Sequence, residues 1–138
     1  MIMLRFEGRY AMIPSVKGVL AMCTVLALGG CSGFERPKPR ALPTGITFQG
    51  TWDSTWGRLD LRQNGNKVSG SFTGYREGGL TGELDGDVWH FIWDQRNPHS
   101  HGHGFMQISP DGQHLEGRWG YMKDDVEGGR WAADRENG

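Results

Sequence analysis

Between Thr47 and Arg135 the chain alternates apolar and polar residues with a period of two. Trp89, Phe91 and Trp93 are interleaved with Val88, His90 and Ile92, and Leu59 and Leu61 with Arg58, Asp60 and Arg62. Successive side chains on an extended strand point to opposite faces, so this pattern predicts strands with one buried face. A second regularity is apolar-x-Gly-x-apolar, which occurs at Phe48-x-Gly50-x-Trp52, Val68-x-Gly70-x-Phe72, Leu80-x-Gly82-x-Leu84 and Leu115-x-Gly117-x-Trp119. Each glycine shares its face with bulky neighbours, which suits a strongly coiled sheet closing around large side chains. Turn chemistry at Asn64-Gly65-Asn66, Asp85-Gly86 and Pro110-Asp111-Gly112 separates the runs.

These signals divide the segment into strands near 47–53, 56–63, 67–73, 79–85, 87–94, 103–109, 114–120 and 128–135. The spacing leaves no room for crossover helices, so neighbours pair antiparallel as a meander. The expected fold class is all-β: about eight short strands closed as a small up-and-down barrel, which removes exposed edges. A sandwich or a partly open sheet is the alternative.

Composition agrees. The chain has 23 glycines, six tryptophans and six phenylalanines, and every tryptophan lies between Trp52 and Trp131. A formal net charge of −1 argues against a nucleic-acid partner, which needs a clustered basic face. The only cysteines, Cys23 and Cys31, precede the strand region, so packing and hydrogen bonds must stabilise it.

The N-terminal stretch differs. Lys17 precedes an apolar run from Gly18 to Leu28, followed by Gly29 and Gly30. The run is about half of the ~20 residues that span a bilayer, and its layout is that of a signal peptide with a short helical middle. Leu28-Gly29-Gly30-Cys31 resembles the lipobox of bacterial lipoproteins. That resemblance implies cleavage before Cys31, lipidation of its thiol and acylation of its new amino group. Residues 1–30 are then the signal peptide, with Met12 an alternative start. Residues 31–46, with Pro37, Pro39 and Pro43 among Arg36, Lys38 and Arg40, form a Pro-rich tether, and 47–138 form the barrel domain. Ser32 after the cysteine favours the outer membrane by the enterobacterial sorting pattern. The expected location is the bacterial cell envelope, lipid-anchored.

Gly50-Thr51-Trp52 at the first strand and Arg135 near the end of the last resemble the calycins, the lipocalin and avidin superfamily. In that group a Trp near the start packs beneath an Arg from the end. The stretch from Gly45 through Leu61 is similar to the opening of avidin-type barrels. The resemblance would place biotin-gripping groups near Ser54, Arg58 and Phe72, where Arg58 and Phe72 cannot supply the amide, hydroxyl and phenol expected. It implies a fold and no substrate.

Candidate binding residues follow from the aromatic content. Trp52, Trp89, Trp93, Trp119 and Trp131 are expected to share the interior. An eight-stranded barrel is filled by side chains or holds one small ligand. Short strands and large rings favour filling; the other reading is an aromatic-lined pocket for a small apolar or sugar-like ligand. His99, His101 and His103 alternate and would share a Zn²⁺ or Cu²⁺ if extended, with His90 or Asp94 as a fourth ligand. Asn97-Pro98 and the glycines at 102 and 104 read instead as a loop, where histidine is simply soluble. Asp124, Asp125 and Glu127 lack the EF-hand spacing, so a solvated loop is expected there. No nucleophile elbow, phosphate loop or zinc-protease motif is present, so the sequence implies no cofactor and no enzyme. The expected partners are the membrane, through Cys31, and a small ligand or an envelope protein; the alternative is a filled barrel acting through loops at Gln95–Gly104 and Lys123–Gly129.

Overall fold

A computed structural model describes residues 35–136 of the chain. The signal segment and Cys31, with the lipidation expected there, lie outside the described residues. From residue 37 onward the chain is an all-β unit. The strands are β1 (Gly50–Ser54), β2 (Gly57–Asn64), β3 (Lys67–Thr73), β4 (Gly78–Asp85), β5 (Val88–Gln95), β6 (Ser100–Ile108), β7 (His114–Tyr121) and β8 (Gly129–Arg135). Each pairs antiparallel with the next, and β8 returns to β1 through Trp52 opposite Arg135, Asp53 opposite Asp134 and Ser54 opposite Ala133, which closes the barrel.

The register shows why glycines recur inside. Gly70 lies opposite Leu61 and Leu80, Gly82 opposite Val68 and Phe91, and Gly117 opposite Met106 and Trp131. A Cβ on any of these three would stand 1.8–1.9 Å from a backbone carbonyl oxygen of the neighbouring strand. Each inward glycine lets its neighbours approach and leaves room for a large side chain from the adjoining strand. The outer wall carries the exposed Arg58, Asp60, Arg62, Glu83, Glu116, Arg130 and Asp134. Apolar inside and charged outside is the inverse of a barrel that faces lipid.

One segment departs from expectation. The stretch from Ser100 is strand, not loop, and β6 begins three residues earlier than the pattern indicates. Gly102 and Gly104 are not loop formers here. Gly102 lies inward opposite Trp93 and Tyr121, and Gly104 opposite Phe91 and Trp119; a Cβ at Gly104 would sit 2.4 Å from the Phe91 ring.

The barrel has two unlike ends. At the first, Phe48 and Trp52 are fully buried, and Leu42 and Ile46 pack against the core. Trp52 Nε1 donates to the Phe48 carbonyl at 2.9 Å. The Arg135 guanidinium lies 4.2 Å from the centre of the Trp52 ring and donates to the carbonyls of Gln49 (2.7 Å), Thr47 (2.6 Å) and Gly112 (3.0 Å). Burial lowers the Arg135 pKa from its ordinary value; the ring face and the three carbonyls offset that desolvation. This is the Trp–Arg contact that the resemblance to calycins implies.

Upstream, the Pro-rich segment is strapped to the same end. Asp87, nearly inaccessible to solvent, accepts from Arg40 N (2.9 Å), Arg40 Nε (3.2 Å) and Gln107 Nε2 (3.0 Å), while its own N–H donates to the Arg40 carbonyl at 2.8 Å. Gln107 Nε2 also reaches the Lys38 carbonyl at 3.2 Å. Lys38 and Arg40, expected in the tether, are therefore bonded to the folded unit.

Candidate functional site: an aromatic cup at the open end

The opposite end is ringed by the β1–β2 turn at Thr55 and Trp56, the β3–β4 loop from Gly74 to Glu77, the β5–β6 turn from Arg96 to His99 and the β7–β8 loop from Met122 to Gly128. It opens into a cavity of about 320 Å³ lined by Trp56, Phe72, Tyr75, Arg76, Trp93, Gln95, Trp119, Tyr121 and Trp131. That volume lies at the lower end of the roughly 300–1,000 Å³ typical of small-molecule sites.

Inward positions near this end of four strands, β3, β5, β7 and β8, supply most of the lining. Trp93 and Gln95 continue the face of Trp89 and Phe91 on β5, and Trp119 and Tyr121 that of Leu115 and Gly117 on β7. Arg76 and Trp56 extend the inward parity of Leu80 and Trp52 just beyond their strands. The rings meet edge to face. Trp119 stands at 80–88° to Trp56, Trp93 and Tyr121, with centroids 5.1–5.7 Å apart. Phe72 meets Trp131 at 87° and 5.7 Å. Such contacts are favoured by the ring quadrupoles and leave some faces turned toward the cavity.

Hydrogen bonds fix the indoles. Trp93 Nε1 donates to the Gly120 carbonyl (3.0 Å), Trp131 Nε1 to Ser54 Oγ (3.1 Å) and Trp56 Nε1 to the Arg130 carbonyl (3.3 Å). Ser54 Oγ donates in turn to the Gly57 carbonyl. The N–H groups of Trp89 and Trp119 are buried and find no acceptor among the described residues. With three of its indoles pinned, the cup is largely preformed.

Of the five tryptophans the sequence nominates, Trp93, Trp119 and Trp131 line the cup, whereas Trp52 and Trp89 are fully buried core. The interior is thus filled over its closed half and hollow at the mouth. Phe72, read only as an inward strand residue, also lines the cup, and sequence reasoning missed Trp56, Tyr75, Arg76, Gln95 and Tyr121. Inward parity carried past the strand ends marks all of these except Tyr75.

The three histidines do not converge. His101 and His103 share the outer face of β6, His99 precedes the strand, and the His99 and His101 rings are 6.1 Å apart. His99 Nε2 sits 3.1 Å from Asp94 Oδ1, His103 Nδ1 hydrogen-bonds the Met122 carbonyl, and His90 packs against Phe105. Among the described residues no group of three His, Cys, Asp or Glu side chains is placed to hold a metal. In the acidic loop, Asp124 receives the N–H groups of Val126 and Glu127, which is turn chemistry.

Comparison of the chain with known protein families, with curated proteins and with solved structures finds no match. The function must therefore be argued from the cup itself.

Proposed function

We propose that the protein is a calycin-like lipoprotein of the bacterial envelope, anchored by lipid on Cys31 with the outer membrane favoured, whose non-catalytic barrel binds a small ligand in the aromatic cup. The observation that carries the binding reading is the preformed mouth, in which seven of nine lining residues are aromatic. Ring faces and edges of this kind suit an apolar ring or the apolar face of a sugar. The strap at residues 38–40 meets the barrel at its closed end and leaves the mouth uncovered.

Tryptophan emission titrated with indole, 1-naphthamide, 1-naphthoate and methyl glucoside tests the cup. At least one compound should give a saturable change that Trp119→Ala abolishes; no response to any of them overturns the binding reading. Mass spectrometry of the mature protein tests the anchor. It should find Cys31 at the N-terminus carrying acyl chains, and an unmodified cysteine would remove the anchoring.

A second reading rests on the rim. Tyr75, Tyr121 and Met122 are 74%, 56% and 66% exposed around the mouth, more apolar surface than one small ligand needs, and the Gln95–Gly104 and Lys123–Gly129 segments both reach this end. An envelope protein docking over the rim would leave the cup empty. Co-purification lost on changing Tyr75 and Tyr121 to serine, with no small-molecule response, would select that reading.

A further inference from the structure

We infer that the ligand of the cup is a small amphipathic anion, an apolar ring system bearing one carboxylate, with Arg76 as the residue that reads its charge. The inference rests on the cup being a ligand site. Its basis is the electrostatic composition of the mouth. Arg76 is the one charged side chain in the lining. Its guanidinium lies 4.5 Å from the Tyr75 ring centre and 3.4 Å from the Tyr75 hydroxyl, and it makes no ion pair among the described residues. Glu77, its neighbour in sequence, pairs with Arg96 at 3.4 Å. Arg76 is half-buried with its guanidinium over the Tyr75 ring, and no carboxylate among the described residues pairs with it.

Ligand classes separate on this point. A cationic ligand, which aromatic cages otherwise favour, meets a like charge with no carboxylate to offset it. A neutral ligand covers the guanidinium and strips its water without replacing those hydrogen bonds. A carboxylate supplies the missing partner, and the planar fork of arginine matches its two oxygens. Gln95 Nε2 is already committed to the Pro98 carbonyl at 2.7 Å, which holds the amide beside the cavity as a second polar contact.

The test compares 1-naphthoate with 1-naphthamide, probes of the same ring and nearly the same size, on the wild-type protein and on Arg76→Gln. Calorimetry should show the carboxylate binding about tenfold tighter to the wild type, the ratio expected of one charge-assisted contact. In Arg76→Gln the two affinities should fall within about twofold of each other, through loss of carboxylate affinity, while the melting temperature is unchanged. Equal affinities on the wild type overturn the anion inference and leave the cup standing as a neutral site. A tenfold gap that persists in Arg76→Gln removes Arg76 from the assignment. Failure of both probes to bind overturns this inference, and the ligand reading beneath it falls only if indole and methyl glucoside fail as well.

Discussion

At the scale of the residue, the closed end depends on Trp52 and Arg135. Trp52 is fully buried, and Arg135 spans from its ring face to three backbone carbonyls. Truncating a buried Trp removes its transfer energy and leaves a cavity, so Trp52→Ala should cost about 3–5 kcal/mol in urea unfolding. A loss below about 1 kcal/mol would place the ring outside the core. Arg135→Lys keeps the charge but loses the fork, so the Thr47, Gln49 and Gly112 carbonyls cannot all be satisfied. It should cost about 2 kcal/mol, measured the same way.

At the scale of the element, the inward glycines govern how tightly the strands coil. Gly82 and Gly79 lie on the same strand but differ in surroundings. A Cβ at Gly82 would meet the His90 carbonyl oxygen at 1.9 Å, whereas at Gly79 the nearest atom is 3.7 Å away. Gly82→Ala should therefore destabilise on the order of 1–3 kcal/mol, and Gly79→Ala should stay within about 0.5 kcal/mol. The β6–β7 turn gives a pH-dependent check. Asp111 accepts from Ser109 Oγ (2.6 Å) and from the N–H of Gln113 (3.0 Å), which holds its carboxyl below its ordinary value. A depressed carboxylate adds stability above its unfolded pKa and loses it as pH falls through the folded one. Asp111→Asn should thus lower the urea midpoint at pH 7 and leave it closer to wild type below pH 3.

Much at this scale was legible in the sequence. Strand count, meander order and the four glycine positions follow from a period of two, because the two faces of the wall meet opposite environments. The three-residue extension at the start of β6 was not legible. Gly102 and Gly104 read locally as loop residues, and only the rings of Phe91 and Trp93 on the next strand show them to be inward. The cup was half legible. Its tryptophans stood out, but Arg76 and Gln95 are polar residues at inward parity, and parity alone does not reveal that the barrel is hollow there. The strap was hidden for another reason: Arg40 and Asp87 lie 47 positions apart, and nothing in either neighbourhood names the other.

At the scale of the whole molecule, a sealed end carrying the strap and an open end carrying the cup make the barrel polar along its axis. Asp87 fastens the strap, so Asp87→Ala should lower stability by about 2 kcal/mol through its lost charge-assisted contacts. It should also expose the Arg40–Ala41 bond to trypsin. Arg36 and Lys38 both precede proline and resist the enzyme, so a new fragment beginning at Ala41 reports release of the strap; continued protection would show that Asp87 does not hold it.

The most direct measurement follows the six indole N–H resonances by NMR during a titration with 1-naphthoate. Trp56, Trp93, Trp119 and Trp131 should shift with one saturating curve while Trp52 and Trp89 stay still, because the first four line the mouth and the other two are sealed beneath it. Six unmoved resonances, or shifts centred on Trp52 and Trp89, would contradict a barrel that is closed at one end and receptive at the other.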